Sequence, residues 1–179
     1  IYDRLVGSEM CIRDSMKLGA DISGSRFAMM SDGLSELSRA LSMFLISEQK
    51  KKGYREVKVP SIASDASFYH SGQLPKFENQ SFKLNGYDKR LIPTAEIVLA
   101  NLIQNKYVND KSLPIRYCSF SPCFRSEAGS LGRDTKGIIR LHEFEKVELF
   151  SYCSKNDEDE ELKYMLSLIQ ISEPTRRSY

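Results

Sequence analysis

The densest run of chemically capable residues lies between Phe124 and Glu148. It carries five basic side chains (Arg125, Arg133, Lys136, Arg140, Lys146) and five acidic ones (Glu127, Asp134, Glu143, Glu145, Glu148), so charge cancels in sum but not in space. Gly129, Gly132 and Gly137 punctuate its polar middle, which suits a loop between two strands. A strand–loop–strand hairpin with basic groups near its mouths fits an anionic ligand. Arginine forks can grip phosphate bidentately, and carboxylates alongside can hold an ammonium group or a divalent cation. On charge pattern alone, the same run also describes an exposed hairpin laced with salt bridges.

The order of these residues resembles the second signature of the class II aminoacyl-tRNA synthetases and, within that class, the seryl-tRNA synthetase family. Arg125-Ser126-Glu127-Ala128-Gly129-Ser130 matches the opening and Gly132-Arg133-Asp134-Thr135 the turn. His142-Glu143-Phe144-Glu145-Lys146-Val147-Glu148 matches the return strand, with Glu143 where glutamine is usual. Gly24-Ser25-Arg26-Phe27, the helix through Leu41 and the strand ending at Pro60 resemble the first signature, which builds the family's dimer interface. Gly72–Phe77 and Leu91–Glu96 resemble two further blocks, with Ser71 where threonine is usual. The likeness covers nearly all of residues 22–150.

That resemblance implies an α+β fold, a class II synthetase-type antiparallel sheet flanked by helices, incomplete in this chain. It implies serine–tRNA ligase activity. Serine's carboxylate attacks the α-phosphate of ATP, seryl-adenylate forms as pyrophosphate leaves, and serine then passes to tRNA(Ser). No side chain need act as nucleophile, so the protein contributes position and charge. Arg125 would bridge the α-phosphate and the serine carboxylate. Glu127 would meet the adenine amino group or the loop backbone, completing the catalytic pair. Ser126 would support the turn and Phe144 would stack on adenine, so that Arg125, Ser126, Glu127 and Phe144 form the ATP site. Thr94, Ala95, Glu96, Arg125 and Glu148 would line the serine pocket, which rejects analogues lacking the hydroxyl.

Several of these residues also have plainer readings. Arg125 could be a surface partner of Glu127, Phe144 a core residue, and Thr94 a helix cap. Arg133, Lys136 and Arg140 would meet pyrophosphate or the acceptor end of tRNA, or remain solvated, and His142 reads as a structural strand histidine. Mg2+ enters through the resemblance alone, with its main protein ligand expected outside this chain. A homodimer is expected on the same ground. Nothing after Glu148 resembles the third signature, so the chain alone is expected to be inactive, and poorly soluble or dependent on its dimer partner. Two alternatives stand beside this reading. One is a synthetase paralogue that loads an amino acid onto a carrier protein. The other is a non-catalytic amino-acid- or nucleotide-binding dimerisation module.

The frame that positions these residues is ordinary in composition. A chain of 179 residues, 41% hydrophobic and 28% charged, can bury a core without disulfides and is neither collagen-like nor disordered. Its apolar runs fall short of a membrane span. With 26 basic and 24 acidic residues, the net charge of +2 is too mild for a surface that wraps nucleic acid. Cys11, Cys118, Cys123 and Cys153 form no Cys-x-x-Cys pair and read as reduced thiols of an intracellular protein, which the resemblance places in the cytoplasm. Only His70 and His142 could join them, so no zinc set is expected. The acidic block Asn156–Glu161 reads as a solvated helix start.

Leu34, Leu37, Leu41, Phe44 and Leu45 predict an amphipathic helix from Asp32 to Lys52, capped by Ser31 or Asp32 and closed by Gly53. Tyr54–Val59 alternates like a strand, and residues 64–71 predict a short helix stopped by Gly72. Asn85-Gly86 joins Ser81–Leu84 to Arg90–Ile92 as a hairpin. Thr94 opens a helix that buries Ile97, Val98, Leu102 and Ile103. Pro114–Phe124 is extended, Ser126–Gly137 is a loop, and Ile138–Phe150 is a strand with Ile139, Leu141, Val147 and Leu149 on one face. A last helix, 156–170, carries Leu162, Met165, Leu166 and Ile169. Residues 1–15 and 172–179 resemble translated sequencing-adapter DNA and are expected to be non-native. Residues 16–171 would then be the N-terminal part of the class II catalytic domain.

Overall fold

A computed structural model describes residues 16–128 and 140–172. The segments 1–15 and 173–179, most of the Ser126–Gly137 loop with Arg133 and Lys136, and Ile139 lie outside the described residues.

Residues 16–23 form helix α1, followed by α2 (Asp32–Lys51), β1 (Arg55–Glu56), β2 (Ile62–Ser64) and α3 (Asp65–His70). Then come β3 (Lys89–Leu91), α4 (Glu96–Leu99), β4 (Ile115–Phe124), β5 (Glu143–Tyr152) and α5 (Glu158–Ser172). The main sheet has the order β1-β4-β5. β4 and β5 pair antiparallel along their whole length, from Ile115 opposite Tyr152 to Phe124 opposite Glu143. The antiparallel core of the expected α+β fold is therefore present. β1 departs from that expectation: it runs parallel to β4, with Arg55 opposite Tyr117. A parallel pair needs a long crossover, and the segment carrying α3 and α4 supplies it.

The period of two along β4 and β5 sorts their side chains onto two faces. On one face, Cys118, Val147 and Leu149 pack with Ile46 of α2, Tyr54, and Tyr164, Met165 and Leu168 of α5. On the other, Tyr117 and Phe150 pack with Val59, Ile92, Ala95 and Leu99. This second face continues past its apolar part to Cys123, Arg125, Phe144, Lys146 and Glu148. Cys118 and Cys123 are fully buried and, with Cys153, are free thiols.

Several expectations about faces are corrected. Gly53 does close α2 with φ +89°, but Ser31 makes no side-chain cap bond. The helix buries Ile46 and Gln49, while Leu37, Leu41, Met43 and Phe44 are 63%, 53%, 68% and 54% exposed. The periodic stripe thus points away from the sheet. In α5, Leu168 and Met165 reach the core, whereas Leu162, Leu166 and Ile169 stay exposed. Its acidic start is solvated at Glu158, Asp159 and Glu160 but not at Glu161, which is buried against Arg116. The Asn85-Gly86 turn forms, with Gly86 at φ +78°. Its first arm makes only the Lys83–Arg90 bridge, and the main partner of β3 is β2.

Candidate active site

Arg125 leaves the end of β4 on backbone that is fixed residue by residue. Phe124 N donates to Ile92 O at 2.9 Å, Arg125 N to His142 O at 2.9 Å, and Ser126 N to Gln80 O at 3.0 Å. His142 Nδ1 lies 2.9 Å from Arg125 O, and its amide donates to Arg26 O. Its ring packs on Phe27 and Phe82, so His142 is structural, as expected. Beyond Ser126 the chain turns through Glu127 at φ +50°, and the Glu127 carboxylate meets Arg140 at 3.2 Å. Arg125 is therefore not paired with Glu127. Its guanidinium lies over the Phe144 ring, 5.0 Å from the centroid, an attraction available to a cation on an aromatic face. Phe144 is only half-buried.

Below this pair lies a pocket with charges of both signs. Phe144, Lys146 and Glu148 share a face of β5 by strand parity. Thr94, just ahead of α4 and 5% exposed, donates its hydroxyl to Glu148 Oε2. Lys146 Nζ donates to Thr94 Oγ1 at 2.8 Å and pairs with the Glu148 carboxylate. The Glu96 amide donates to Thr94 Oγ1 at 3.3 Å, so this hydroxyl both supports the helix start and faces the pocket. Burial, then the neighbouring Glu148 carboxylate, push the Glu96 carboxyl above its ordinary pKa, with Lys146 partly offsetting them.

A cavity of about 250 Å³ opens here, walled by Thr94, Glu96, Arg125 and Lys146 and roofed by Gln73, Phe77, Gln80 and Ser81. The roof is held from behind by Arg90, 3% exposed. Arg90 bonds Asp65 at 3.0 Å, Ser81 Oγ at 2.8 Å and Glu78 at 3.1 Å. Thr94, Glu96 and Arg125 thus stand together as the sequence suggests, with Glu148 bonded to Thr94. Ser126, Glu127 and Phe144 adjoin the cavity mouth through Arg125. Ala95 is the exception. Its side chain is fully buried with Val59, Ile92 and Leu99, and its carbonyl is taken by the amides of Val98 and Leu99, so it positions its neighbours without facing the cavity. Sequence reasoning omitted Lys146, although its parity with Phe144 and Glu148 was the available signal. It also gave no role to Gln73, Phe77, Gln80 and Ser81.

The arrangement offers acceptors for an ammonium and a hydroxyl, and one arginine for an anion, within a small enclosure. It offers no activated nucleophile. Cys123 is fully buried, and burial pushes its thiol above the ordinary value, which leaves it inert.

An arginine at the end of one antiparallel strand, over an aromatic ring on the next and at the wall of a pocket with Thr94 and Glu96, is the arrangement that the resemblance to the class II synthetases implies. The model of the tRNA synthetase class II core domain (G, H, P, S and T) matches residues 76–172, more than half of the chain, and the chain belongs to that family. Within it, relatives at 30–47% identity include several serine–tRNA ligases. The chain is 47% identical over 148 residues to the serine–tRNA ligase of Prochlorococcus marinus (strain AS9601), covering 83% of this chain and 35% of that protein. The seryl-tRNA synthetase from Pyrococcus horikoshii complexed with ATP superposes with TM-score 0.81 at 36% identity, over 85% of this chain and 34% of that one. The cytoplasmic serine–tRNA ligase from Naegleria fowleri in complex with AMP gives 0.80 at 30% identity, over 88% and 39%. The chain therefore spans little more than a third of the length of these relatives. Neither the carrier-loading paralogue nor the non-catalytic module is favoured by them.

Proposed function

We propose that this chain is the N-terminal part of the catalytic core of a serine–tRNA ligase, and that the cavity between Arg125 and Glu148 receives serine beside ATP. The observation that carries the reading is the placement of Arg125. Among the described residues its guanidinium has no ion-pair partner, and it stands at the wall of a pocket that also holds Thr94, Glu96 and Lys146, with Glu148 bonded to Thr94 and Lys146. An anion bound by the arginine would lie within a short distance of those acceptors, as the two ends of an amino acid require. Arg125 would then hold the serine carboxylate against the α-phosphate, where negative charge builds as the P–O bond to pyrophosphate breaks. Thr94, Glu96 and Glu148 would take the ammonium and hydroxyl. Phe144 would stack on adenine, and Glu127, with Ser126 fixing the turn, would meet the base's amino group. Serine would then pass to tRNA(Ser).

The exposed stripe of α2 fits a second copy of this chain, and dimerisation belongs to the proposal. So do cytoplasmic location and the reading of residues 1–15 and 172–179 as non-native. No helix among the described residues is long and apolar enough to cross a membrane. Mg2+ is expected beside the triphosphate. The described residues do not fit it by themselves: no three His, Cys, Asp or Glu side chains converge among them, and Lys146 already neutralises Glu148.

The test is ATP–pyrophosphate exchange with serine, run on this chain and on the full-length gene product that contains it. Serine-dependent exchange by the longer protein, abolished by Arg125→Ala, supports the reading. Exchange driven equally by other amino acids, or none with serine, overturns it. The 179-residue chain alone is expected to show none.

A further inference from the structure

Lys146 is the one charged side chain of the pocket that binding of serine and ATP leaves without a task. Its ammonium is held by a hydroxyl and a carboxylate, donating to Thr94 Oγ1 at 2.8 Å and pairing with Glu148. Those are the groups that would receive the ammonium of an amino acid. A threonine hydroxyl has one proton to give and two lone pairs to offer. At Thr94 all three are committed: the proton to Glu148, and the lone pairs to Lys146 Nζ and the Glu96 amide. A substrate ammonium cannot reach this oxygen until a donor leaves. The Glu96 amide is fixed in the backbone at the start of α4, whereas Lys146 is a point charge on a flexible stem, with 30% of its side chain exposed.

We propose that Lys146 is a tethered stand-in for the substrate's ammonium, filling the subsite between Thr94 and Glu148 in the empty pocket and giving it up when an amino acid binds. The proposal rests on the pocket being the serine site. Charge explains why a stand-in is needed. Glu96 from α4 and Glu148 from β5 would otherwise face one another, with Arg125, just past β4, drawn to Phe144. Two carboxylates sharing a confined site repel one another. Lys146 offsets that repulsion in the empty pocket, as a bound ammonium would. The arrangement is also selective, because a hydroxy acid without an ammonium has nothing to put in the place of Lys146.

The experiment is titration calorimetry on the full-length protein near neutral pH, with serine and with 3-hydroxypropanoate, for the wild type and Lys146→Gln. Removal of the competitor is expected to tighten serine by at least about threefold, since the subsite is then always open, and to leave 3-hydroxypropanoate without a gain. Serine binding that is unchanged or weaker in a folded variant overturns the proposal. A second measurement does not depend on the variant. In a crystal of the wild type with serine bound, Lys146 Nζ should lie beyond hydrogen-bond reach of Thr94 Oγ1, more than about 3.5 Å, and a retained bond overturns the proposal as well. Failure of the wild type to bind serine at all would sink the site reading, and this proposal with it.

Discussion

Ser126 Oγ donates to the carbonyl oxygen of Asn79 at 2.6 Å, tying the hairpin that carries Arg125 to the segment that roofs the cavity. The next bond along, from Ser126 N to Gln80 O at 3.0 Å, repeats the tie through the backbone. Arg90 then clamps the same segment through Glu78 and Ser81. Two stretches some fifty residues apart are thus one rigid wall. Rigidity matters here because a site that works by placement loses rate when its groups drift by an ångström.

Ser126→Ala removes the hydroxyl tie and leaves the amide tie in place. The expected loss is that of one hydrogen bond, about 1 kcal/mol, read as a roughly fivefold fall in kcat/KM for ATP in the full-length protein. Unfolding by urea should shift little. A loss of a hundredfold or more would mean that Ser126 touches the nucleotide itself.

Arg125→Lys keeps the charge and loses the planar fork. Lysine can neither grip a phosphate and a carboxylate bidentately nor spread over Phe144 as guanidinium does. Adenylate formation should fall by about 100-fold, the usual cost of removing one donor to developing charge. Exchange kinetics would show this mainly in kcat, and a pure rise in the serine KM would mean that Arg125 only binds substrate.

The outward face of α2 carries Leu37, Leu41, Met43 and Phe44, all more than half exposed. Fully covering such side chains is worth about 1.5–3 kcal/mol each, and a second copy of the same face is the cover proposed above. The wild type should sediment as a dimer, and Leu41→Glu should sediment as a monomer. Identical sedimentation of both proteins would remove α2 from the interface.

The sequence made the β4–β5 hairpin legible because its chemistry is local: Arg125, Phe144 and Glu148 stand on adjacent strands, and parity alone decides their face. It was poorer where a face had to be matched to a neighbour. Helical spacing groups Leu37, Leu41 and Phe44 but cannot say whether the sheet or another molecule covers them. In this fold Ile46 alone of the apolar residues of α2 is buried. The parallel pairing of β1 with β4 is likewise a product of the long crossover, not of Arg55 or Glu56. Lys146 was hidden by its company. Among five basic residues in one run, nothing in composition distinguishes the one whose ammonium lies between a threonine and a glutamate.

Glu161 shows the same difficulty on the acidic side, and it gives a pH prediction. It closes an acidic block, yet it is 6% exposed and takes hydrogen bonds from Arg116 Nε at 2.7 Å and Nη2 at 2.6 Å. Ser151 adds a third at 2.7 Å. The Arg116 hydrogen bonds hold the Glu161 carboxyl below its ordinary value of 4.5, against the opposing effect of burial and with help from Ser151. A carboxyl depressed in the folded state stabilises the protein fully above its unfolded pKa, and the benefit disappears as pH falls through the lower folded value. Glu161→Gln should therefore cost about 2 kcal/mol near neutral pH, the worth of hydrogen bonds to a charged group. The gap between variant and wild type should narrow steadily as the medium is acidified below the unfolded value. Urea midpoints measured across that range check it. A gap of constant size would mean that Arg116 gains nothing from the ionisation of Glu161, and no gap at any pH would leave the anchoring of α5 to Leu168 and its apolar neighbours.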